Sequence, residues 1–290
     1  MKIKGGIVMP VTDSPLRYPG GKTKIYAKVK RIIDSVLDEE NRIYIEPYAG
    51  GAGLALKLLY KGDVEQIILN DLDYHIYCFW KVCMSESQAF CSRIKNIDVS
   101  LEEWEKQKNI YINGNNHTEL EIGFATFFLN RCNVSGIIEG GPIGGKEQTG
   151  MYKINARYNK ENLIKKIEKL SLYKEKIQIY NTDALEFLDT IIPALNQKNI
   201  FLNIDPPYVK KGPMLYKNAY TDKDHEHIAK RVKKLQGYWI VTYDACDFIK
   251  KLYEGFVIED LELSYSAGKS KTGREYIIYS KRIRMENTND

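Results

Sequence analysis

Four consecutive residues in the last third of the chain combine an acid, two prolines and an aromatic ring: Asp205, Pro206, Pro207 and Tyr208. An exocyclic purine amine is a poor nucleophile because its lone pair is delocalised into the ring. The carboxylate of Asp205 and the carbonyl of Pro206 could accept both N–H hydrogens and let that nitrogen become tetrahedral. Two prolines fix φ and have no N–H, so the loop is rigid before substrate arrives. Tyr208 offers a face on which an extruded base could stack.

A glycine-containing loop around Gly50 has the pattern of a cofactor site. The strand predicted at Ile43–Ile45 runs directly into this loop, which comprises Glu46, Pro47, Tyr48, Ala49, Gly50, Gly51, Ala52 and Gly53. Asp71 follows about 20 residues later, the spacing at which a carboxylate binds ribose hydroxyls in nucleotide sites. The loop does not read G-x-G-x-x-G, so a cofactor without phosphates fits it better than a dinucleotide.

The segment before the first strand, Leu16 to Lys22, contains an aromatic and a basic side chain that could reach both sites. Tyr18 could cover a bound cofactor if the segment folds back over the glycine loop. Lys22 could then reach either the carboxylate of the cofactor or the loop from Asp205 to Tyr208, called here the catalytic loop. Both residues are therefore expected in the cofactor pocket.

Strands and helices alternate along much of the chain. After the first strand, apolar runs predict strands at Gln66–Leu69, Ile177–Tyr180, Ile200–Ile204 and Tyr238–Thr242. Helical stretches separate the later strands, which is typical of a doubly wound α/β sheet. Two final strands, Val257–Glu259 and Tyr276–Tyr279, flank a polar loop from Ser264 to Arg274 and predict an antiparallel hairpin at the sheet edge.

The pattern changes between residues 77 and 170, where helical segments and a glycine-rich loop replace the alternation. This change predicts an inserted domain. We expect a catalytic domain at 14–76 and 171–284, the inserted domain at 77–170, and flexible ends at 1–13 and 285–290.

Bulk properties exclude several classes of protein. The 290 residues are 43% hydrophobic and 28% charged, so the chain can bury a core and is not expected to be disordered. Lys plus Arg number 43 against 38 for Asp plus Glu, a balance that permits a nucleic-acid partner without requiring one. The five cysteines form no C-x-x-C pair, and no run of about 20 apolar residues is present. We expect no zinc site, no disulfide, no membrane segment and a cytoplasmic location.

Four motifs resemble, in their order, those of the D12 family of adenine-N6 DNA methyltransferases, which includes the bacterial Dam enzymes. They are Arg17 to Lys22, Glu46 to Gly53, Phe128 to Arg131 and Asp205 to Tyr208. The resemblance covers nearly the whole chain. It implies a Rossmann-like S-adenosylmethionine-dependent methyltransferase sheet, mostly parallel with an antiparallel edge hairpin. It also implies methyl transfer from S-adenosylmethionine to N6 of an adenine flipped out of double-stranded DNA.

The resemblance also assigns residues to the two sites. The implied catalytic residues are Asp205, Pro206, Pro207 and Tyr208. The implied cofactor residues are Tyr18, Lys22, Pro47, Tyr48, Ala49, Gly50, Gly51, Gly53, Asp71, Asp183 and Asp205. Methyl transfer requires no metal, and the pair His225 and His227 lacks the H-E-x-x-H spacing of a zinc site.

The order of the motifs resembles the α group of amino-methyltransferases, which implies a mainly helical DNA-recognition domain in the insertion. Its candidate DNA contacts are Asn130, Arg131, Ser135, Lys146, Gln148, Lys153, Arg157 and Asn159. The edge hairpin adds Lys269, Lys271 and Arg274. Members of the family that methylate GATC have a basic residue at the position that Glu139 occupies in this chain. This difference argues against GATC as the target sequence. Implied partners are double-stranded DNA and a cognate restriction endonuclease, with the chain a monomer or weak dimer.

Two alternatives remain open at this stage. The same loop chemistry could serve cytosine N4, RNA adenine or a protein glutamine, although an acid at Asp205 favours adenine. The chain could instead be a catalytically silent DNA-binding relative, against which the intact Asp205, Tyr208, Lys22 and Asp71 argue. Cytosine C5 transfer needs a nucleophilic cysteine in a Pro-Cys loop, and no cysteine of this chain follows a proline.

Overall fold

Seven β-strands pair in one sheet in the computed structural model, which describes residues 12–18, 20–195, 197–209, 220–265 and 271–283. The strands are β1 (Ile43–Glu46), β2 (Gln66–Asn70), β3 (Ile177–Tyr180), β4 (Ile200–Ile204), β5 (Tyr238–Asp244), β6 (Val257–Tyr265) and β7 (Lys271–Tyr279). Their order across the sheet is β3-β2-β1-β4-β5-β7-β6. Every strand predicted from the apolar runs is present, and the predicted α/β class is confirmed.

The first five strands are parallel, and β7 is antiparallel to both β5 and β6. The predicted antiparallel hairpin is therefore confirmed. The predicted polar loop from Ser264 to Arg274 was too long, because β6 reaches Tyr265 and β7 begins at Lys271. Polar residues can continue a strand that has a solvated face, so polarity alone placed the loop bounds wrongly. Lys269 lies outside the described residues.

Helices cover both faces of the sheet. In the described residues they are α1 (Tyr26–Val36), α2 (Gly53–Lys61), α3 (Tyr74–Ser85), α4 (Ser87–Asn96), α5 (Leu101–Ile112), α6 (Glu119–Cys132), α7 (Lys160–Leu172), α8 (Ala184–Thr190), α9 (Asp222–Val232) and α10 (Asp247–Leu252). Successive strand residues point to opposite faces. Tyr44 accordingly lies in the core beneath α1 and α2, whereas Ile45 lies in the core formed with α8 and α9.

The helices α3 to α7 connect β2 to β3, where the sequence predicted an insertion. Their centre is an aromatic cluster in which Phe79, Phe90, Phe124 and Phe127 are fully or almost fully buried and in mutual ring contact. This cluster is continuous with the core on one face of the sheet. The boundaries predicted at residues 77 and 170 fall inside α3 and α7. The division into two domains stays a prediction.

The segment 12–17 is bound along the surface of α6 and α7. Lys166 Nζ donates to the carbonyls of Thr12 and Ser14 at 2.5 and 2.9 Å. The side chain of Asn130, which is fully buried, accepts from the Arg17 amide at 2.7 Å and donates to the Arg17 carbonyl at 3.0 Å. This pairing fixes the position from which the chain enters the glycine loop region. None of the described helices combines the length and apolar character needed to span a bilayer.

Candidate active site

The strand order reverses between β1 and β4, so the loops after these two strands diverge and leave a crevice at their carboxyl ends. A cavity of about 590 Å³ occupies this crevice. Its walls come from the loop after β1, the ends of β2 and β4, the segment before α1 and the helical connection. The fold thus places residues from distant parts of the sequence around one space.

Asp205 follows β4 directly, and the protein holds both of its carboxylate oxygens. Lys22 Nζ donates to Oδ2 at 2.7 Å, and the Thr242 hydroxyl donates to Oδ1 at 2.6 Å. The Asp205 side chain is 21% exposed and lines the cavity. Each carboxylate oxygen has a second lone pair, so Asp205 can still accept a hydrogen bond from a ligand. Its orientation is fixed before any ligand binds.

Lys22 uses all three of its ammonium hydrogens inside the protein. Besides Asp205, Nζ donates to the Tyr208 hydroxyl at 2.7 Å and to the Gly20 carbonyl at 2.9 Å. Glu275 Oε2 lies 3.8 Å away. Of the two destinations expected for Lys22, the structure shows the catalytic loop.

The catalytic loop is anchored at both ends. Beyond Asp205, the Val209 amide donates to Asp244 Oδ1 at 3.0 Å. Pro206 is buried, and Pro207 lines the cavity. Tyr208 is 3% exposed, with Lys22 Nζ 5.0 Å from its ring centroid. The ring of Tyr208 is thus packed inside the protein, and its stacking on a base stays a prediction.

The glycine loop passes directly beneath Tyr18. A Cβ atom built on Gly50 would lie 2.6 Å from the Tyr18 ring, and one on Gly51 would lie 2.6 Å from Tyr18 Cβ. Gly50 also has φ +45°, which disfavours other residues. Close approach of a protein side chain therefore requires these glycines, whereas the sequence pattern had suggested only approach to a cofactor. The expected folding back of this segment over the loop is seen.

Asp71 lies at the end of β2 and ties the glycine loop to the next turn. Its Oδ2 accepts from the Gly50 amide at 2.8 Å, and its Oδ1 accepts from the Asp73 amide at 3.0 Å. Burial, together with the neighbouring charge of Asp73, raises the pKa of Asp71 to about 7. The carboxyl lines the cavity, where it can also accept from a ligand hydroxyl.

Two further polar side chains form the floor of the cavity. Glu46 is 5% exposed, and burial raises its pKa to about 8. Tyr44 donates to Glu46 Oε1 at 3.0 Å. The side chain of Asn203 is 2% exposed, and its Oδ1 accepts no hydrogen bond from the described residues. A buried polar atom without a partner is costly, so this oxygen fits the donor of a bound ligand.

Aromatic rings form another wall. The hydroxyls of Tyr48 and Tyr220 lie 2.9 Å apart, and their rings meet edge to face with centroids 6.1 Å apart. Both line the cavity, as does Ala184. Asp183 caps the amino end of α8 by accepting from the Leu185 amide at 2.8 Å. This wall offers flat apolar surface beside an exposed carboxylate.

The remaining predicted cofactor residues belong to the same cavity. Its lining includes Pro47, Ala49 and Gly53, together with the Tyr18 and Lys22 already described. A Cβ on Gly53 would lie 2.8 Å from Thr23 Oγ1. The structure therefore brings together around one cavity the residues that the sequence assigned to the pocket, except Asp183, which adjoins the lining residue Ala184 without lining the cavity itself. Their contacts with a cofactor stay predictions.

The predicted DNA contacts are scattered. Arg131, Ser135 and Arg157 line the cavity. Lys146 is exposed on the glycine-rich loop. Arg274 is paired with Asp260 at 2.8 Å on the edge hairpin, and Lys271 begins β7.

Three other predicted contacts have roles inside the helical connection. The Gln148 amide bonds the Ile143 and Gly145 carbonyls, Lys153 donates to the Gln148 carbonyl, and Asn159 caps α7. Together with the buried Asn130, these side chains are engaged within the protein.

Sequence reasoning gave no site role to several residues that line or support the site: Thr242, Asn203, Tyr220, Glu46 and Lys166. Of these, Glu46 appears in the sequence patterns only as the first residue of the glycine-loop motif. A signal existed for Asn203, because a polar residue inside an apolar strand needs a reason. Thr242 offers no such signal, since threonine is common in strands. Only the pairing of β4 with β5 brings it beside Asp205.

Residues 18–267 match the sequence profile of the family described as D12 class N6 adenine-specific DNA methyltransferase. The chain is 27% identical over 266 residues to the type II methyltransferase M.MjaIII of Methanocaldococcus jannaschii, covering 84% of this chain and 89% of that protein. It is 23% identical over 258 residues to the type II methyltransferase M.CviBI of Paramecium bursaria Chlorella virus NC1A, covering 86% and 90%.

Among solved structures, the rRNA methyltransferase aviRa from Streptomyces viridochromogenes superposes with a TM-score of 0.37 at 9% identity, covering 92% of this chain and 88% of that one. That likeness is too low to bear on function. The family match spans most of the chain and includes the segment of Lys22, the glycine loop and Asp205. The chain therefore belongs to the D12 class N6 adenine-specific DNA methyltransferases.

Proposed function

We propose that this enzyme transfers the methyl group of S-adenosylmethionine to N6 of an adenine that has been flipped out of double-stranded DNA. The observation that supports it most is the fixed carboxylate of Asp205, held at both oxygens and still open to the cavity. A planar amine needs such an acceptor at the moment its nitrogen gains positive charge. The supporting family match covers residues 18–267.

The cavity residues fit S-adenosylmethionine, which supplies an already activated methyl group on a sulfonium. Asp71 would accept from ribose hydroxyls while keeping the glycine loop in place through the Gly50 amide. Tyr48 and Tyr220 would pack against the purine of the cofactor, next to Asp183. Asn203 Oδ1 would accept from a donor of the methionine moiety, which would remove a buried unpaired acceptor.

The catalytic loop would orient the target amine. Asp205 would accept one N6 hydrogen, and the Pro206 carbonyl would accept the other. Because neither proline has an N–H, that carbonyl faces no competing backbone donor. Thr242 and Lys22 would keep Asp205 from rotating, so the amine would be aligned with the methyl group without reorganisation of the site.

Flipping a base costs a few kcal/mol, which stacking on an aromatic side chain can offset at about 1–3 kcal/mol per base. Tyr208 is assigned this role from the motif. Since its ring is 3% exposed, base stacking requires the ring or the adjoining loop to move when DNA binds. In this proposal, loop movement and base entry occur together.

DNA would approach the helical connection and the edge hairpin. Ser135 and Arg157 at the cavity, Lys146 on the glycine-rich loop, and Lys271 and Arg274 of the hairpin would supply the contacts. We assign Asn130 a positioning role, because its buried side chain bonds both backbone groups of Arg17. A restriction endonuclease partner stays a prediction from the sequence.

The test is to identify the methylated base. Purified protein would be incubated with S-adenosylmethionine and either unmethylated DNA of diverse sequence or RNA, and the nucleosides would be quantified by mass spectrometry. We expect N6-methyladenine from DNA alone. N4-methylcytosine, methylated RNA, or no methylated nucleoside from correctly folded protein would contradict the proposal.

A further inference from the structure

We propose that four cationic side chains lining the cavity form one binding site for a backbone phosphate group of DNA. They are Arg17, Arg131, Arg157 and Lys166, and all four line the cavity that also contains Asp205. The inference rests on the proposed function, since it assumes that DNA enters this cavity. It adds Arg17 and Lys166 to the expected DNA contacts and treats the four as a unit, called here the cation cluster.

The cation cluster is built from four separate segments. Arg17 comes from the segment before α1, Arg131 from the last turn of α6, Arg157 from the short helix Ile154–Arg157, and Lys166 from the middle of α7. Each side chain is only partly exposed. Several elements of the fold therefore bring like charges together in one place. Charged residues on a solvated surface would not need such an arrangement.

The partners of the cation cluster are neutral. Arg131 donates to the carbonyls of Arg157 and Pro15, and Arg17 donates to the carbonyl of Asn133 at 3.2 Å. Lys166 donates to two carbonyls of the segment 12–14. Within the described residues, no carboxylate lies within 4 Å of any of the four cationic groups. The acid that does influence Lys166 is Asp13, which is itself 3.8 Å from Lys169.

Burial and mutual repulsion make this arrangement costly for the free protein. Burial first, and then the charge of Arg17, lowers the pKa of Arg131 to about 10. Burial, and then the charge of Arg131, lowers the pKa of Lys166 to about 8. Buried charges are normally paired, so an anion from outside the chain would relieve both costs at once.

Donors remain available for that anion. A guanidinium has five N–H hydrogens and an ammonium has three. Arg157 makes no side-chain hydrogen bond to the described residues, and its guanidinium carbon lies 5.8 Å from the Tyr152 ring centroid. Arg17 uses one guanidinium nitrogen and Lys166 uses two of three hydrogens. Two arginines and a lysine can thus bind the two free oxygens of a phosphodiester.

Two observations favour DNA phosphate over the carboxylate of the cofactor. Three members of the cation cluster come from the helical connection, whereas most of the residues suited to the cofactor come from the carboxyl ends of the central strands and the glycine loop. Next to Arg157, Met151 is 90% exposed and Tyr152 is 57% exposed. Exposed apolar side chains beside unpaired cations suit a DNA surface, where sugars and bases adjoin phosphates.

The test measures how DNA affinity depends on salt. Binding of an unmethylated mixed-sequence duplex would be followed without methyl donor for the parent, Arg157→Gln, Arg17→Gln and Lys61→Gln. Lys61 is an exposed lysine at the far end of α2, and its change is a matched loss of one charge. We expect each arginine variant to lower the slope of log affinity against log salt by about 1, and Lys61→Gln to leave it unchanged. Arg157→Lys should recover most of the slope.

The outcomes separate this inference from the proposed function. Parental slopes and affinities in both arginine variants would overturn the phosphate site, even if the parent methylates adenine. Unchanged DNA binding with a raised KM for S-adenosylmethionine would assign the cation cluster to the cofactor carboxylate and would also overturn it. A parent that binds DNA with the expected slope changes but methylates no adenine would contradict the proposed function and leave the phosphate site standing.

Discussion

Two groups of charged side chains face the same cavity, and they differ in whether the protein itself supplies a counter-charge. At the catalytic loop, Lys22 and Asp205 are paired at 2.7 Å, and Thr242 holds the other carboxylate oxygen. In the cation cluster, the described partners of Arg17, Arg131 and Lys166 are uncharged carbonyls. In our proposal, the protein completes the group around Asp205 before substrate arrives, whereas a ligand completes the cation cluster.

The largest expected effect on stability comes from breaking the paired group. Lys22→Met leaves Asp205 without its counter-ion, and we expect it to lower the free energy of unfolding by about 2–3 kcal/mol. This is below the range for fully buried pairs because Asp205 is 21% exposed. Arg157→Gln removes one of four repelling cations and should leave the free energy of unfolding unchanged or slightly higher. Urea denaturation of both variants measures the difference.

Equal destabilisation by the two variants would break the comparison, since it would mean that the cation cluster is as well compensated as the catalytic pair. The parent and Lys61→Gln provide the reference values under the same conditions.

A smaller effect, on turnover, is expected from the neutral partner of Asp205. Thr242 is fully buried, and valine has nearly its shape but no hydroxyl. A hydrogen bond to a charged group is worth about 1.5–3 kcal/mol, so Thr242→Val should lower kcat roughly 10–100-fold. KM for DNA should change little, because Thr242 acts only through Asp205. Thr242→Ser keeps the hydroxyl and is expected to retain most of the activity.

If Thr242→Val raised KM for DNA and left kcat unaltered, Thr242 would act in binding and not in positioning. Steady-state kinetics of the two variants, each checked for a parental melting temperature, distinguish these cases.

The smallest expected effect concerns the pH dependence of stability and involves Glu46. Its pKa is raised from 4.5 to about 8 because it is buried. The folded protein therefore keeps a proton that the unfolded chain releases. The resulting stabilisation is complete below pH 4.5 and is lost as the pH rises through about 8. Glu46→Gln has no such proton. As the pH rises from 4.5 to about 8, the melting temperature of the parent should therefore fall by a few degrees relative to that of Glu46→Gln.

Melting curves recorded across that pH range for the parent and Glu46→Gln test this directly. Parallel melting temperatures would mean that Glu46 titrates normally and that the cavity floor is better solvated than its burial indicates. The other buried acid of the cavity, Asp71, is unchanged in both proteins and cancels in the comparison.

Local patterns predicted the sheet well and the contacts within the site poorly. Apolar runs found the strands, since alternation and length are properties of a few neighbouring residues. The pairing of Lys22 with Asp205 joins residues 183 positions apart, and that of Asn130 with Arg17 joins residues 113 apart. Such contacts depend on strand order and helix packing, which no short motif specifies.

The glycine loop illustrates the same limit. Its residue types predicted a cofactor site, and the loop does line the cavity. The reason for two of its glycines is nevertheless the Tyr18 side chain, which contacts them from a segment that precedes the sheet. Likewise, the polar residues Lys271 and Arg274 were expected in a loop and lie in β7, because an edge hairpin tolerates polar residues on its solvated face.

The most direct test of the account is the rate of methyl transfer by Asp205→Asn in a single turnover on unmethylated DNA. Asparagine keeps the shape of the side chain but has no negative charge. Its one carbonyl oxygen can accept from Lys22 Nζ while its amide nitrogen donates to the Thr242 hydroxyl. We predict a loss of roughly 10²–10³-fold in rate, with DNA affinity close to that of the parent. The melting temperature should fall, because the buried Lys22 loses its counter-ion. A folded Asp205→Asn enzyme that formed N6-methyladenine at the parental rate would contradict the account.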